Sequence, residues 1–128
     1  MNEFDEFGDE LGRIAPEVMR ALGDGAAPDH EIPISWMGSV GKAVADTLNR
    51  LAPEVRADVF QLVERHLARG SELMRTAVAT GLLEVVASEV SGGRLDGPEL
   101  ARLLGPESRA YIDAWDQFTL GRSSLGPS

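Results

Sequence analysis

Cysteine is absent from this 128-residue chain, histidine occurs twice, and no apolar run approaches the ~20 residues that a bilayer requires. Without cysteine there is no disulfide, no thiol nucleophile and no thiolate metal site. His30 and His66 are far apart in sequence, and neither has a carboxylate four residues away on its own helical face to complete a metal pair. His66 is expected as a hydrogen-bonded histidine at the edge of the core, and His30 as a solvated one. A phosphate-cradling glycine loop is also missing. Met37-Gly38-Ser39-Val40-Gly41 lacks the Gly-x-Ser-x-Gly pattern and falls in a helical pattern with no strand before it. Basic charge is lacking at the start, since no base precedes Arg13, and the eleven arginines are scattered among acids instead of forming a stripe. Nucleic acid is therefore an unsuitable partner. These absences predict no catalytic residue, no cofactor, no metal and no membrane span. The acidic N-terminus is unlike the basic start of a signal peptide, so the expected compartment is the cytoplasm.

What is present is acid, unevenly placed. Residues 1–31 carry nine acids against two bases, a net of 2 − 9 = −7 out of the chain's −9, leaving the other residues nearly balanced. Apolar and charged contents of 43% and 26% are those of a folded globular chain, so this acidity does not imply disorder. The length suits one core.

Helical periodicity runs through the whole chain and predicts an all-α domain over 1–120, a single bundle of five or six helices. Phe4, Phe7, Leu11, Ile14 and Val18 recur at steps of three and four, giving an acidic amphipathic helix over 1–22 that Pro16 interrupts. A turn-rich linker follows over 23–34, then a helical core over 35–120. Within it Ser35 is the expected cap of a helix with Met37, Val40, Val44, Leu48 and Leu51 inward. Pro53 opens a helix with a broad apolar arc, and Gly70-Ser71 turns it into the next, predicting a central antiparallel hairpin. Ala77, Gly81 and Gly41 read as close-packing positions. Asp96 and Glu99 have capping spacing before a short helix. Gly105-Pro106 makes a corner into a last helix whose Tyr111, Trp115 and Phe118 are expected in the core, with Asp113 and Asp116 on the wet side. Residues 121–128 read as a frayed tail.

Three stretches carry a resemblance: Thr76-Ala77-Val78-Ala79-Thr80-Gly81-Leu82-Leu83-Glu84, Leu104-Gly105-Pro106-Glu107-Ser108 and Trp115-Asp116-Gln117-Phe118. Together they resemble a family of small helical bacterial proteins of uncharacterised function that includes candidate immunity proteins of polymorphic toxin systems. The resemblance covers about Pro53 to Leu120, and it implies a helical domain that neutralises a toxin, without bringing any catalytic residue. The function expected on this basis is a non-enzymatic immunity protein that blocks a cognate, basic toxin domain. The candidate partner-binding residues are the acids of the first helix, Glu3, Glu6, Asp9, Glu10 and Glu17, since an acidic surface gains rate and specificity against a basic partner. The alternative is a helical adaptor or oligomeric scaffold using an apolar surface at Trp36, Met37 and Phe60. An enzyme built on Glu84 is a third reading, set against Glu84 simply pairing with an arginine.

Overall fold

Residues 2–126 are described by a computed structural model, and among them the chain forms seven helices and no strand. The count exceeds the expected five or six because the N-terminal segment is two helices. Asn2 caps α1 (Glu3–Ile14), its side chain accepting from the Phe4 N–H at 2.7 Å. Ala15 then leaves the helical region at φ −140°, ψ 77°, as a residue before proline tends to do, and Pro16 opens α2 (Pro16–Leu22).

The segment expected as a plain linker has structure of its own. Gly23–Gly25 makes a 3-10 turn whose Gly25 carbonyl accepts from Trp36 Nε1 at 3.0 Å. Asp29 Oδ1 accepts from the N–H groups of Glu31 and Ile32 at 3.0 and 3.2 Å. This fixed turn starts α3 (Pro33–Thr47) two residues earlier than Ser35, which is not its cap; Ile32 holds that position without a side-chain bond. A 3-10 turn, Leu48–Arg50, leads to α4 (Pro53–Arg69).

Ser71 caps α5 as expected, its Oγ accepting from Met74 N–H at 3.1 Å. This helix covers 72–91 in three stretches, of which Glu72–Thr76 and Glu84–Ser91 are α-helical and Ala77–Leu83 is π-helical. The wide turn has a packing consequence. Met74, Val78, Leu82, Val86 and Val90 step by four and are all buried. In an uninterrupted α-helix that step drifts ~40° per turn, and the π stretch winds part of the drift back. Ala79, Leu83 and Ala87 are buried beside them, so α5 has neighbours on two sides.

Its largest interface is with α3, ahead of the α4 partner that the sequence suggested. Glycine makes this crossing possible. A Cβ on Gly41 would stand 2.9 Å from the Leu82 carbonyl oxygen, and one on Gly81 would stand 2.7 Å from that of Ile34. Both are backbone atoms and cannot move aside. Thus α3 and α5 meet almost backbone to backbone, with α1, α2, α4 and α7 packed around the pair.

Asp96 caps α6 (Gly97–Leu103) through the Glu99 N–H at 2.9 Å. The last helix, α7 (Pro106–Thr119), corrects the sequence reading on both faces. Ser108, Ile112 and Asp116 are its buried positions, while Tyr111 and Trp115 are half-buried and Phe118 is 86% exposed. Asp116, expected in water, is 1% exposed: its Oδ2 accepts from the N–H and Oγ of Ser124 at 2.9 and 2.6 Å. The residues expected to fray supply those donors, and Leu125 is buried. Residues 127–128 of that segment lie outside the described residues. Trp36, Met37 and Phe60, suggested as an apolar docking surface, are 4%, 0% and 1% exposed and belong to the core.

Candidate functional site

Helical geometry gives α1 four sides. Phe4, Phe7 and Leu11 face the core, where Phe4 and Phe7 meet Trp36 edge to face at 6.5 and 6.3 Å between centroids. Gly8 lies under the 23–32 segment, near Pro28 and Trp36, and Asp5 on the same side accepts from His30 Nε2 at 3.0 Å. The third side faces α4 and the start of α5. The fourth is open.

Four of the five candidate acids divide between the last two sides, and the fifth, Glu17, lies on α2. Glu3 Oε1 accepts from the backbone N–H of Ser71 at 2.8 Å. Hydrogen bonding to Ser71 holds this carboxyl below its ordinary range, against a smaller upward push from burial. Since Ser71 is the cap of α5, Glu3 does from another helix what the distal acid of a capping box does locally. Glu10 is paired with Arg65 of α4 and lies 3.6 Å from His66 Nε2. These two acids therefore attach α1 to the domain. Glu6 and Asp9 are exposed and have no side-chain partner among the described residues, nor does the half-buried Glu17 on α2. The open strip thus holds Glu6 and Asp9 with Arg13 at its end, and the His30–Asp5 contact brings the exposed Asp29 and Glu31 alongside.

His66 sits beneath this arrangement with its side chain 13% exposed, edge-on to Phe7 at 5.2 Å. It is not hydrogen-bonded as expected: Nε2 is buried without a hydrogen-bond partner among the described residues. His30 is exposed, as the sequence predicted, and is in addition bonded to Asp5.

The remaining titratable clusters are committed to packing. Glu84 accepts from Tyr111 Oη and not from an arginine, and burial first, then this carboxylate, pushes the Tyr111 hydroxyl up. Asp113 pairs with Arg109 one turn before it at 3.2 Å. Glu89, 5% exposed, holds Lys42 at 2.6 Å and also Arg94; these two hydrogen bonds depress its carboxyl despite burial. Glu64 reaches from α4 to the bare start of α7, accepting from the N–H of Glu107 at 2.9 Å and from the N–H and Oγ of Ser108 at 2.9 and 2.8 Å. Burial pushes the Glu64 carboxyl up, yet the three donors outweigh it and leave it lowered. Among the described residues no three His, Asp or Glu side chains are grouped to hold a metal, and no helix is long and apolar enough to cross a membrane.

Sequence reasoning missed Glu64, Glu89 and Asp116 as organising residues. Two of them had a signal in their phase: Glu89 follows Val86 by three, and Ser108, Ile112 and Asp116 succeed one another at steps of four, each on an inward face. Glu64 had none, because its partners lie over forty residues away.

An all-α domain with an acidic open strip and carboxylates spent on helix docking is the class that fold and site define. The family model for "Domain of unknown function (DUF7674)" matches residues 4–120, and the chain belongs to that family. The match takes in α1 and the 23–32 segment, which lay outside the resemblance read from the sequence. No curated protein and no solved structure matches the chain.

Proposed function

We propose that this chain is a non-catalytic binding protein that neutralises a basic bacterial toxin domain in the cytoplasm, meeting it with the open strip of α1. The observation that carries the reading is the division of the first-helix acids. Glu3 and Glu10 are consumed in fixing the helix, so Glu6 and Asp9 present their charge from a rigid support without an ion-pair partner among the described residues. Rigidly held charge costs little ordering on binding and is suited to steering an oppositely charged partner. The engagement of Glu84, Glu89, Asp113 and Asp116 by protein donors argues in the same direction, since none is left as a free acid or base.

The test is protection in cells. Co-expression with the toxin domain encoded beside this gene is expected to restore growth. The double variant Glu6→Lys/Asp9→Lys, folded by circular dichroism, is expected to lose that protection. Full protection by the variant would remove the strip from the function, and lack of a toxin gene in the neighbourhood would favour the adaptor reading. That second reading has its own observation, Phe118 at 86% exposure with Leu120 at 38%, an apolar end on α7 that a second copy could cover.

A further inference from the structure

Where α5 and α7 pack together, a cleft of about 310 Å³ opens between them. That volume is at the lower end of the ~300–1,000 Å³ common to ligand-binding clefts. Thr80, Glu84 and Ser88 succeed one another at steps of four on α5 and put a carboxylate and two hydroxyls along one wall. Half-buried Trp115 of α7 is the aromatic side chain of the lining. The Thr80 hydroxyl donates to the Thr76 carbonyl at 2.8 Å and so turns its lone pairs outward as an acceptor. The charge of this wall comes down to one residue. Glu89 and Asp46 are balanced by Lys42 and Arg94 in a single chain of ion pairs. Glu84 has no base against it among the described residues: Tyr111 Oη donates to its Oε2, and a neutral hydroxyl leaves the carboxylate charge uncancelled. The cleft therefore offers acceptors, one unbalanced negative charge and an indole ring.

From this combination we infer that the cleft between α5 and α7 is a binding site for a guanidinium group, with Glu84 as its counter-ion and Trp115 as its stacking surface. A guanidinium is planar, carries five donors and no acceptor, and prefers the indole among aromatic faces. Glu84 Oε1 and the hydroxyls of Thr80 and Ser88 are the acceptors for those donors, and a single positive charge balances the single carboxylate. Ammonium answers the charge but not the flat ring, so lysine is the weaker ligand. The site lies apart from the acids of α1 and does not depend on the function proposed for them.

The probes are acetyl-Gly-Arg-Gly-amide, its Lys and citrulline counterparts, and agmatine as a free guanidino compound, each titrated into the full chain and followed by NMR. The Arg peptide is expected to saturate, shifting the Trp115 indole N–H and the amides of residues 80–88. The other indole, Trp36, is bonded to the Gly25 carbonyl and should stay in place. Citrulline keeps the shape without the charge and should bind at least about tenfold more weakly, and the Lys peptide should fall between the two. Glu84→Gln, which still accepts from Tyr111, and Ser88→Lys, at an exposed position, should each weaken the Arg peptide about tenfold with little change in thermal midpoint. Glu6→Gln/Asp9→Asn should leave its affinity unchanged. Tighter binding of the peptide than of agmatine supports the site with a protein's arginine as the source, and the reverse order supports it with a free guanidino compound. No saturation at tens of millimolar, equal affinity for citrulline or Lys, full affinity in Glu84→Gln and Ser88→Lys, or shifts confined to α1 would overturn the proposal.

Discussion

The first and last helices, α1 and α7, look alike in sequence, since each mixes aromatic residues with acids at helical spacing, yet the structure sorts them in opposite senses. On α1 the aromatic residues Phe4 and Phe7 are buried and the acids Glu6 and Asp9 are outside. On α7 the aromatic Phe118 is outside and the acid Asp116 is inside. The difference is in what the rest of the chain brings to each helix. α1 is met by Trp36 and His66, flat partners for aromatic rings. α7 is met by the returning residues 123–126, which supply two donors to a carboxylate and bury Leu125. An acid is buried where donors are delivered to it, whatever its own hydropathy.

The comparison is broken most severely if Phe7 and Phe118 respond alike to truncation. Phe7→Ala should cost about 3–5 kcal/mol in denaturant-induced unfolding, as loss of a fully buried aromatic does. Phe118→Ala should stay within about 0.5 kcal/mol. Similar midpoint shifts for the two would mean that the aromatic sides have been assigned wrongly.

Next in size is Asp116. Its replacement by Ala should cost about 1–3 kcal/mol by leaving the Ser124 donors without their acceptor. Removing residues 123–126 should cost more, because it also takes away the buried Leu125, and the double change should fall short of the sum by the shared Asp116–Ser124 interaction. Additive costs would show that Asp116 is stabilised by something other than the returning segment.

Carboxylates that hold helices together should reveal themselves through pH. Glu64 and Glu3 are lowered in the folded chain, so each contributes stability that is fully present above its unfolded value and is lost as pH falls through its folded one. Glu64→Gln should therefore cost about 1–2 kcal/mol at neutral pH, in line with loss of a helix cap. The gap from wild type should close in acid. Glu3→Gln should behave the same way with a smaller amplitude, since its contact is exposed. Glu6→Gln should change unfolding at neutral pH by less than about 0.5 kcal/mol. A pH-independent gap for Glu64→Gln would refute the capping role.

Local chemistry was legible in the residues themselves. The Asp96 and Ser71 caps, the break at Pro16 and the apolar stripes of Met37 to Leu51 are short-range and appear where the spacing puts them. The close approach marked by Gly41 and Gly81 was legible too, but not the fact that each faces the other's helix, which depends on a crossing between segments forty residues apart. Long-range delivery of donors was beyond the pattern altogether. The Glu64 bond to α7, the Tyr111 bond to Glu84 and the return of Ser124 to Asp116 each needed the tertiary arrangement. For the same reason the candidate acids could be enumerated from sequence but not divided: Glu3 and Glu10 differ from Glu6 and Asp9 only in what α4 and α5 place opposite them.

That division is the central claim, and association kinetics test it most directly. The rate of association with a basic toxin domain encoded beside the gene should be measured against ionic strength for wild type, for Glu6→Gln/Asp9→Asn and for Glu3→Gln. Neutralising the open pair is expected to slow association several-fold at low salt and to flatten the salt dependence, with dissociation little changed, while Glu3→Gln keeps the wild-type slope. Equal rates and slopes for all three proteins would contradict the claim and leave the open strip as a solvated surface.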